Sequence, residues 1–236
     1  MAAFREPHIT GDNAAMTWDL FPDEPAAEQA DETLAPGALL LRDLARPQGP
    51  ALLEAVSEVI RQSPLRKMIT PGGFQMSVAM TNCGAAGWIT DRSGYRYGAL
   101  DPLSGRPWPL MPVVLSSLAT AAAAKAGFAA FVPDACLINQ YEPGSRMSLH
   151  QDKDEQDYSA PIVSVSLGLP AVFLFGGERR SDRAIRVALM HGDVVVWGGP
   201  ARLRYHGVAP LKDGDHPLLG RRRINLTFRK ALGNAL

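Results

Sequence analysis

The chain has 236 residues, no formal net charge at neutral pH and an apolar fraction of 46%, which fits a globular protein with a sizeable core. Two cysteines outside any C-x-x-C motif exclude a disulfide framework, so we expect reduced, buried thiols. The N-terminus lacks the apolar core and basic flank of a signal peptide, and no stretch is apolar enough to span a bilayer. We therefore expect a cytoplasmic protein without a membrane segment, and a monomer.

Charge is distributed unevenly along the chain. Residues 1–35 contain eight acidic side chains and one arginine, a net charge of −7, so the remainder of this neutral chain carries +7. The same segment is rich in Ala and Pro and lacks a sustained period, which predicts a poorly ordered acidic leader over residues 1–36. A single domain over residues 37–236 then follows. Its basic character suits contact with phosphates, although a solvated leader without any role is the simpler interpretation.

The first half of the domain is predicted to contain the helices. Apolar residues at helical spacing indicate a helix over residues 50–62, and an Ala-rich stretch indicates a second over 115–130. A short strand at 39–41 precedes them. The motif Thr-Pro-Gly-Gly at 70–73 is typical of a turn, and alternating side chains from residue 74 to 81 predict a half-buried strand after it.

From residue 135 onward, short strands separated by Gly and Pro dominate the pattern. Helices first and many short strands afterwards indicate an α+β domain built on a double-sheet jelly roll, also called a double-stranded β-helix. The predicted strands are 135–141, 147–152, 162–168, 171–175, 185–190, 193–197, 204–208 and 223–229.

Two histidines and an aspartate form a candidate metal site. Successive side chains of a strand point to opposite faces, so His150 and Asp152 can reach one metal from one strand. His206 lies 54 residues after Asp152, which leaves room for another strand of the same barrel to deliver it. Two imidazoles and one carboxylate are the ligands of a mononuclear iron(II) site that keeps open positions for substrate and oxygen.

A second H-x-D motif, His191-Gly192-Asp193, competes for this role. Gly192 predicts a turn there, so the two side chains do not share a strand face. Asp193 also lies only 13 residues before His206, too close for the intervening strands of a jelly roll. We therefore assign the ligands to His150, Asp152 and His206.

Residues 223–229 alternate strictly between two faces. Arg223, Asn225, Thr227 and Arg229 fall on one face, whereas Ile224, Leu226 and Phe228 fall on the other. Two arginines on a buried strand face are costly unless an anion pairs them, and each guanidinium can fork a carboxylate. A dicarboxylate beside an iron site indicates an oxygenase that uses iron and 2-oxoglutarate.

Several long blocks of the chain also resemble a known family. They are TPGG (70–73), MSVAMTNCG (76–84), PDACLINQY (133–141), LHQDKDE (149–155), IVSVSLGLPAVFLFGG (162–177), HGDVVVWGGPARLRYHG (191–207) and NLTFR (225–229). They are similar to the AlkB family of alkylated-nucleobase dioxygenases, particularly its bacterial DNA-repair branch, from about residue 18 to 230. The resemblance implies Fe(II), 2-oxoglutarate and O2 as cofactors, with a jelly roll over about 135–230 and a nucleotide-recognition lid over about 66–98.

The resemblance also implies individual roles. Arg223 and Arg229 would bind the two carboxylates of 2-oxoglutarate, with Asn139, Tyr141 and Asn225 as hydrogen-bonding partners. Phe74 stands where relatives often have Tyr, so any hydroxyl contact is lost there. Arg180 would contact a base edge, although Arg179 and Arg183 could equally bind phosphates. The implied substrate-binding residues are Thr70, Met80, Trp88, Tyr95, Asp154, Glu155 and Arg180.

The implied reaction is oxidative dealkylation of bases such as 1-methyladenine and 3-methylcytosine, with release of aldehyde, succinate and CO2. The substrate would be single-stranded or double-stranded DNA, or also RNA. Trp88 would stack on an extruded base, and Asp154 would favour its positive charge. The alternatives are a protein or small-molecule hydroxylase of the same fold, and a nucleic-acid binder without catalysis.

Overall fold

The computed structural model describes residues 30–233, which form an α+β domain dominated by antiparallel strands. The helices are α1 (Gly49–Gln62) and α2 (Val113–Lys125), and short 3-10 turns occupy Arg46–Gln48 and Gly199–Ala201. The strands are β1 (Glu32–Ala35), β2 (Ala38–Leu41), β3 (Ala79–Gly84), β4 (Gly87–Asp91), β5 (Gly94–Gly98), β6 (Ala135–Tyr141), β7 (Met147–His150), β8 (Ile162–Gly168), β9 (Ala171–Phe175), β10 (Ile185–Leu189), β11 (Val194–Trp197), β12 (His206–Val208) and β13 (Arg223–Arg229).

The strands form two main sheets and one separate hairpin. The large sheet has the order β1-β2-β11-β8-β13-β6-β3, and the small sheet has the order β10-β9-β12-β7. Among the described residues, strands β4 and β5 pair only with each other. Because strands adjacent in the chain repeatedly fall in different sheets, the two sheets enclose a common interior, and the predicted jelly roll is confirmed.

The alternation along β13 separates the two faces of the large sheet. Ile224, Leu226 and Phe228 join one apolar cluster with the buried faces of both helices. The intervening side chains point to the other face, toward the small sheet, where Arg223 and Arg229 are almost completely buried. One strand therefore contributes to the core on one side and to a polar cavity on the other.

Both helices cover the outer face of the large sheet through one apolar side. In α1 the buried residues Leu52, Val56 and Val59 recur at helical spacing. Pro50 occupies the first turn, where its missing N–H costs nothing. In α2 the buried residues include Ala119 and Ala122, whose small side chains allow close approach to the sheet.

Several predicted boundaries differ from the observed ones. Helix α2 ends at Lys125 rather than 130, because Gly127 adopts a positive φ of 90°, a conformation that terminates helices. The predicted strand over 74–81 is shorter in the structure, because residues 74–78 do not belong to β3. This segment folds back on residues before it, and the Met76 N–H donates to Met68 O at 2.9 Å. The hairpin of β4 and β5 was not predicted.

The start of the domain lies earlier than predicted. Glu32–Ala35, inside the predicted leader, forms β1 and pairs with β2. Arg42 then ties this strand to the domain through ion pairs with Glu32 and Asp193. Residues 1–29 lie outside the described residues, so the order of the remaining leader stays a prediction. Between residues 30 and 233, no helix is both long and apolar enough to cross a membrane.

Candidate functional site

The three predicted metal ligands lie together on the small sheet. His150 ends β7 and His206 begins β12, and these two residues face each other in antiparallel register. Asp152 lies just beyond the end of β7, which is shorter than the predicted strand 147–152. Its carboxylate oxygens are 3.6 Å from Nε2 of His150 and 3.7 Å from Nε2 of His206. One ligand atom from each residue thus lies within 4.8 Å of the others.

Backbone contacts orient both imidazole rings. Nδ1 of His150 lies 2.8 Å from Ser148 O, and Nδ1 of His206 lies 3.1 Å from Arg204 O. Because a carbonyl can only accept, each Nδ1 carries the hydrogen and each Nε2 keeps its lone pair for a metal. Burial, reinforced by the neighbouring His150, lowers the pKa of His206 to about 4, so its ring is neutral near pH 7.

The third ligand is held ionised by an arginine. Arg229 donates from Nε at 2.9 Å and from Nη2 at 2.6 Å to the same oxygen, Oδ2 of Asp152. Burial alone would raise the pKa of Asp152, but the charge of Arg229 outweighs it and holds that pKa well below its usual range. Two imidazoles with free Nε2 lone pairs and one carboxylate therefore fit iron(II), with room for further ligands.

Arg223 lies at the opposite end of β13 and lines the same cavity as the two histidines. It is 1% exposed, and only its Nη2 has a hydrogen-bonding partner, Ser166 Oγ at 3.0 Å. Its Nε and Nη1 are buried without a partner among the described residues. A buried guanidinium with two unused donors is suited to fork a carboxylate, so this end of the cavity fits 2-oxoglutarate.

The other predicted cofactor residues surround the same space. Tyr141 lies beneath Arg223, whose guanidinium carbon is 5.0 Å from the ring centre. Asn139 donates to Asn225 at 3.3 Å, and Asn225 donates to Ser164 Oγ at 2.8 Å. The cavity is lined by seven predicted site residues: Asn139, Tyr141, His150, His206, Arg223, Asn225 and Arg229.

Glu155 does not face the substrate side, contrary to its predicted role. Its side chain is buried, and it accepts from Tyr97 Oη at 2.8 Å and from Arg202 Nη2 at 3.0 Å. It also lies 3.2 Å from Nε of Arg229. Since Arg229 in turn holds Asp152, Glu155 positions the metal ligand from behind rather than touching a base.

Trp88 and Tyr95, the predicted lid aromatics, do come together. They occupy diagonal positions in the β4–β5 hairpin, where Trp88 pairs with Tyr97 and Tyr95 pairs with Thr90. Their rings stack with centres 5.7 Å apart and an interplanar angle of 17°. Nε1 of Trp88 donates to Oδ2 of Asp154 at 2.8 Å. Asp154 is two residues from the metal ligand Asp152, so the indole lies beside the entrance of the metal site.

The remaining predicted substrate residues differ in accessibility. Thr70 accepts the backbone N–H of Phe74 at 3.2 Å in a turn, and Phe74 is 76% exposed beside it. Met80 is fully buried in an apolar cluster, so the predicted substrate contact is wrong for this conformation. Arg180 is exposed on the segment that joins β9 to β10.

Sequence reasoning missed the residue that holds the backbone of Trp88. The buried amide of Asn82 donates to Trp88 O and accepts from Trp88 N–H, both at 3.0 Å. A polar residue within the apolar strand β3 was the available signal. In contrast, the exclusion of the second H-x-D motif agrees with the structure, because Asp193 pairs with Arg42 and His191 accepts the Gly168 N–H.

Comparison with known proteins identifies the family of this chain. Residues 37–229 match the 2OG-Fe(II) oxygenase superfamily. The chain is 59% identical over 213 residues to the alpha-ketoglutarate-dependent dioxygenase AlkB of Salmonella typhimurium, spanning 90% of this chain and 97% of that protein. The chain belongs to the AlkB family. It is accordingly an Fe(II)/2-oxoglutarate-dependent dioxygenase, and the predicted cofactors Fe(II), 2-oxoglutarate and O2 are confirmed.

More distant AlkB relatives share the fold. A solved structure titled "The structure of OsALKBH1" superposes with a TM-score of 0.72 at 30% identity, covering 85% of this chain and 99% of that chain. The mouse nucleic acid dioxygenase ALKBH1 is 33% identical over 132 residues, 54% of this chain and 33% of its own length. The roles of the individual site residues remain predictions, now supported by the distances above.

Proposed function

We propose that this AlkB-family dioxygenase removes alkyl groups from the ring nitrogens of nucleobases in DNA, with RNA as a further substrate. Bases of the 1-methyladenine and 3-methylcytosine type would be restored, with release of aldehyde, succinate and CO2. The observation that carries the proposal is the contact between Trp88 and Asp154. It joins an aromatic surface and a carboxylate two residues from the metal ligand Asp152.

The residues that line the cavity support a separate part for each predicted cofactor-binding residue. His150, Asp152 and His206 would hold iron(II), and Arg223 with Arg229 would hold the carboxylates of 2-oxoglutarate. When bound, these groups supply the oxidation of the alkyl carbon by O2, coupled to decarboxylation of 2-oxoglutarate. The protein itself keeps both histidines in the ligating tautomer and keeps the carboxylate of Asp152 ionised.

The lid residues explain why a nucleobase fits. Stacking on an aromatic ring is worth about 1–3 kcal/mol per base and tolerates different bases, and Trp88 offers such a ring at the site entrance. Alkylation of the pairing edge makes adenine or cytosine positively charged, which the exposed carboxylate of Asp154 favours. Because the alkylated atom lies on the pairing edge, the base must leave the helix or be single-stranded already.

The two alternative functions are less well supported. A protein or small-molecule hydroxylase of this fold has no use for the Trp88–Asp154 pair. A binder without catalysis would not need His150 and His206 held in one ligating tautomer. The monomeric state and the cytoplasmic location remain expectations.

The direct test is turnover on defined oligonucleotides. Purified protein with Fe(II) and 2-oxoglutarate should release succinate and formaldehyde in equal amounts on oligonucleotides that carry 1-methyladenine or 3-methylcytosine. Matched unmodified oligonucleotides should give only slow succinate release. Succinate release that is the same on modified and unmodified strands, with no restored base, would refute the proposal.

A further inference from the structure

Arg202 is a buried arginine beside the metal site that the proposed function does not use. It is 3% exposed and follows the 3-10 turn Gly199–Ala201, four residues before His206. Its guanidinium extends to residues 151–160, which we call the ligand segment because they contain Asp152. Arg202 therefore lies close in the chain to one predicted ligand and contacts the segment that carries another.

Every nitrogen of this guanidinium binds the ligand segment. Nη1 donates to Asp152 O at 2.7 Å, and Nε donates to Ala160 O at 3.0 Å. Nη2 donates to Oε2 of Glu155 at 3.0 Å. The ring of Tyr158 covers the group, with its centre 5.4 Å from the guanidinium carbon. Because a guanidinium is planar and rigid, one side chain fixes both ends of the ligand segment relative to each other.

Strand pairing does not hold the backbone of Asp152. Strand β7 ends at His150, which pairs with His206, so the ladder fixes the two histidines. Asp152 lies beyond the end of that ladder. Arg229 holds its carboxylate, whereas Arg202 holds its carbonyl. The two arginines thus fix the side chain and the main chain of one predicted ligand.

Glu155 links these two arginines. Its Oε2 accepts from Arg202, and its Oε1 lies 3.2 Å from Nε of Arg229. With Asp152, the four side chains are at most 10% exposed and form a group of two cations and two carboxylates. Buried ions are costly unless they are paired in good geometry. Loss of Arg202 would therefore unbalance this group and release the ligand segment at both of its ends.

We propose that Arg202 is a positioning residue of the metal centre. It fixes the main chain at Asp152 so that the carboxylate stays beside the two histidines, and it acts through Asp152 and Glu155 without touching the metal. This inference rests on the part of the proposed function that assigns Asp152 to the metal. Groups that hold metal ligands from outside typically change metal affinity by roughly 10–100-fold when they are replaced.

The test is the affinity of Arg202→Met for Mn(II), in the absence of 2-oxoglutarate and nucleic acid. The electron paramagnetic resonance signal of free Mn(II) measures binding directly and needs no turnover. We expect the dissociation constant to rise by roughly tenfold or more. Arg202→Lys keeps a positive charge beside Glu155, but one ammonium cannot reproduce the planar fork. Its affinity should lie between those of wild type and Arg202→Met.

Arg42→Met is the matched control. Arg42 is also buried, with a side chain that is 8% exposed, and it donates to Ala188 O at 2.9 Å and to Oδ2 of Asp193 at 2.7 Å. It thus binds the same kinds of acceptor as Arg202, but neither partner is a predicted metal ligand. This control should lower the melting temperature and leave the affinity for Mn(II) unchanged. Thermal unfolding of all three variants shows which of them fold, and Arg202→Lys serves alone if Arg202→Met does not.

Two results would overturn the inference. An equal loss of Mn(II) affinity in Arg202→Met and Arg42→Met would reflect general destabilisation, and wild-type affinity in Arg202→Lys would show that charge alone suffices. The proposed function fails differently. Wild-type affinity in Asp152→Asn would refute the ligand assignment itself, whereas weak binding by Asp152→Asn with normal binding by Arg202→Met would refute only the role of Arg202. Turnover on methylated oligonucleotides tests the reaction separately.

Discussion

The metal centre and the lid are built in different ways. The two histidine ligands lie on paired strands of the jelly roll, and Asp152 follows β7 directly. Buried Arg229, which also pairs with Glu155, holds the carboxylate of Asp152. The lid aromatics lie on a two-stranded hairpin that pairs with no other strand of residues 30–233. Side-chain bonds from Asn82, Asp154 and Glu155 attach that hairpin to the domain.

This difference corresponds to two tasks, oxidation at the metal site and selection of the base at the lid. An iron site needs ligands held within a fraction of an ångström, which a rigid sheet provides. A surface that receives bulky bases benefits from an element that can adjust. We therefore expect changes in the sheet to eliminate turnover, whereas changes in the hairpin should alter substrate preference and leave cofactor binding intact.

The largest expected effect comes from two acids that are two residues apart. Asp152→Asn should reduce succinate release by roughly a thousandfold or more, because an amide is a poor ligand in a site of this kind. Asp154→Asn should retain metal-dependent succinate release and lose affinity mainly for methylated oligonucleotides. Metal-binding titrations with both variants, followed by turnover assays, measure the contrast. Near-normal demethylation by Asp152→Asn would break the metal assignment.

Substitution of the two cavity arginines should affect the melting temperature differently. Arg223→Met removes buried donors that lack partners, so the cofactor-free protein should melt at an equal or higher temperature. Its affinity for 2-oxoglutarate should fall by about 1.5–3 kcal/mol, the scale of a charged hydrogen bond. Arg229→Met should lower the melting temperature, since it leaves the buried Asp152 without its cation and removes one of the two arginines beside Glu155.

Thermal unfolding with and without 2-oxoglutarate distinguishes these two variants. Wild-type protein should be stabilised by 2-oxoglutarate in the presence of Mn(II), which can replace iron without turnover. An Arg223→Met protein that is stabilised as strongly as wild type would contradict the assignment of this residue to the cofactor.

The stacking surface should matter only for the base. Trp88→Ala should lower kcat/KM for methylated oligonucleotides by the equivalent of about 1–3 kcal/mol. The KM for 2-oxoglutarate should not change. Trp88→Phe keeps a ring but loses the Nε1 bond to Asp154, so we expect an intermediate value. A parallel rise in both Michaelis constants would show that the hairpin supports the cofactor cavity as well.

The smallest effect should come from a pair of hairpin tyrosines. Tyr97→Phe removes the hydroxyl that donates to buried Glu155, at a cost of about 1–1.5 kcal/mol. For a domain of this size, such a loss lowers the melting temperature by about 2–6 °C. Tyr95 is 49% exposed, so Tyr95→Phe should leave the melting temperature within error. Equal shifts for both tyrosines would indicate that the link to Glu155 adds no stability.

Sequence patterns alone determined the metal site and the sheet that carries it. The i and i+2 spacing of His150 and Asp152 located the site, although Asp152 lies just beyond the end of β7. The strict alternation of residues 223–229 is a local signal, because a strand points every second side chain to one face. The same alternation identified two buried arginines, of which Arg229 pairs with Asp152 and Glu155 and Arg223 keeps donors without a partner among the described residues. The bounds of β6, β8, β9 and β13 were therefore predicted without error.

Only the tertiary structure determined the burial and the partners of Asp154, Glu155 and the lid residues. Asp154 and Glu155 are adjacent in sequence, yet one is exposed beside Trp88 and the other is buried between Arg202 and Arg229. Met80 lies in the alternating segment 74–81 and was predicted to contact the substrate. Residues that are distant in the sequence bury it instead. Burial and partners depend on which elements pack together, and no local period encodes contacts between residues tens of positions apart.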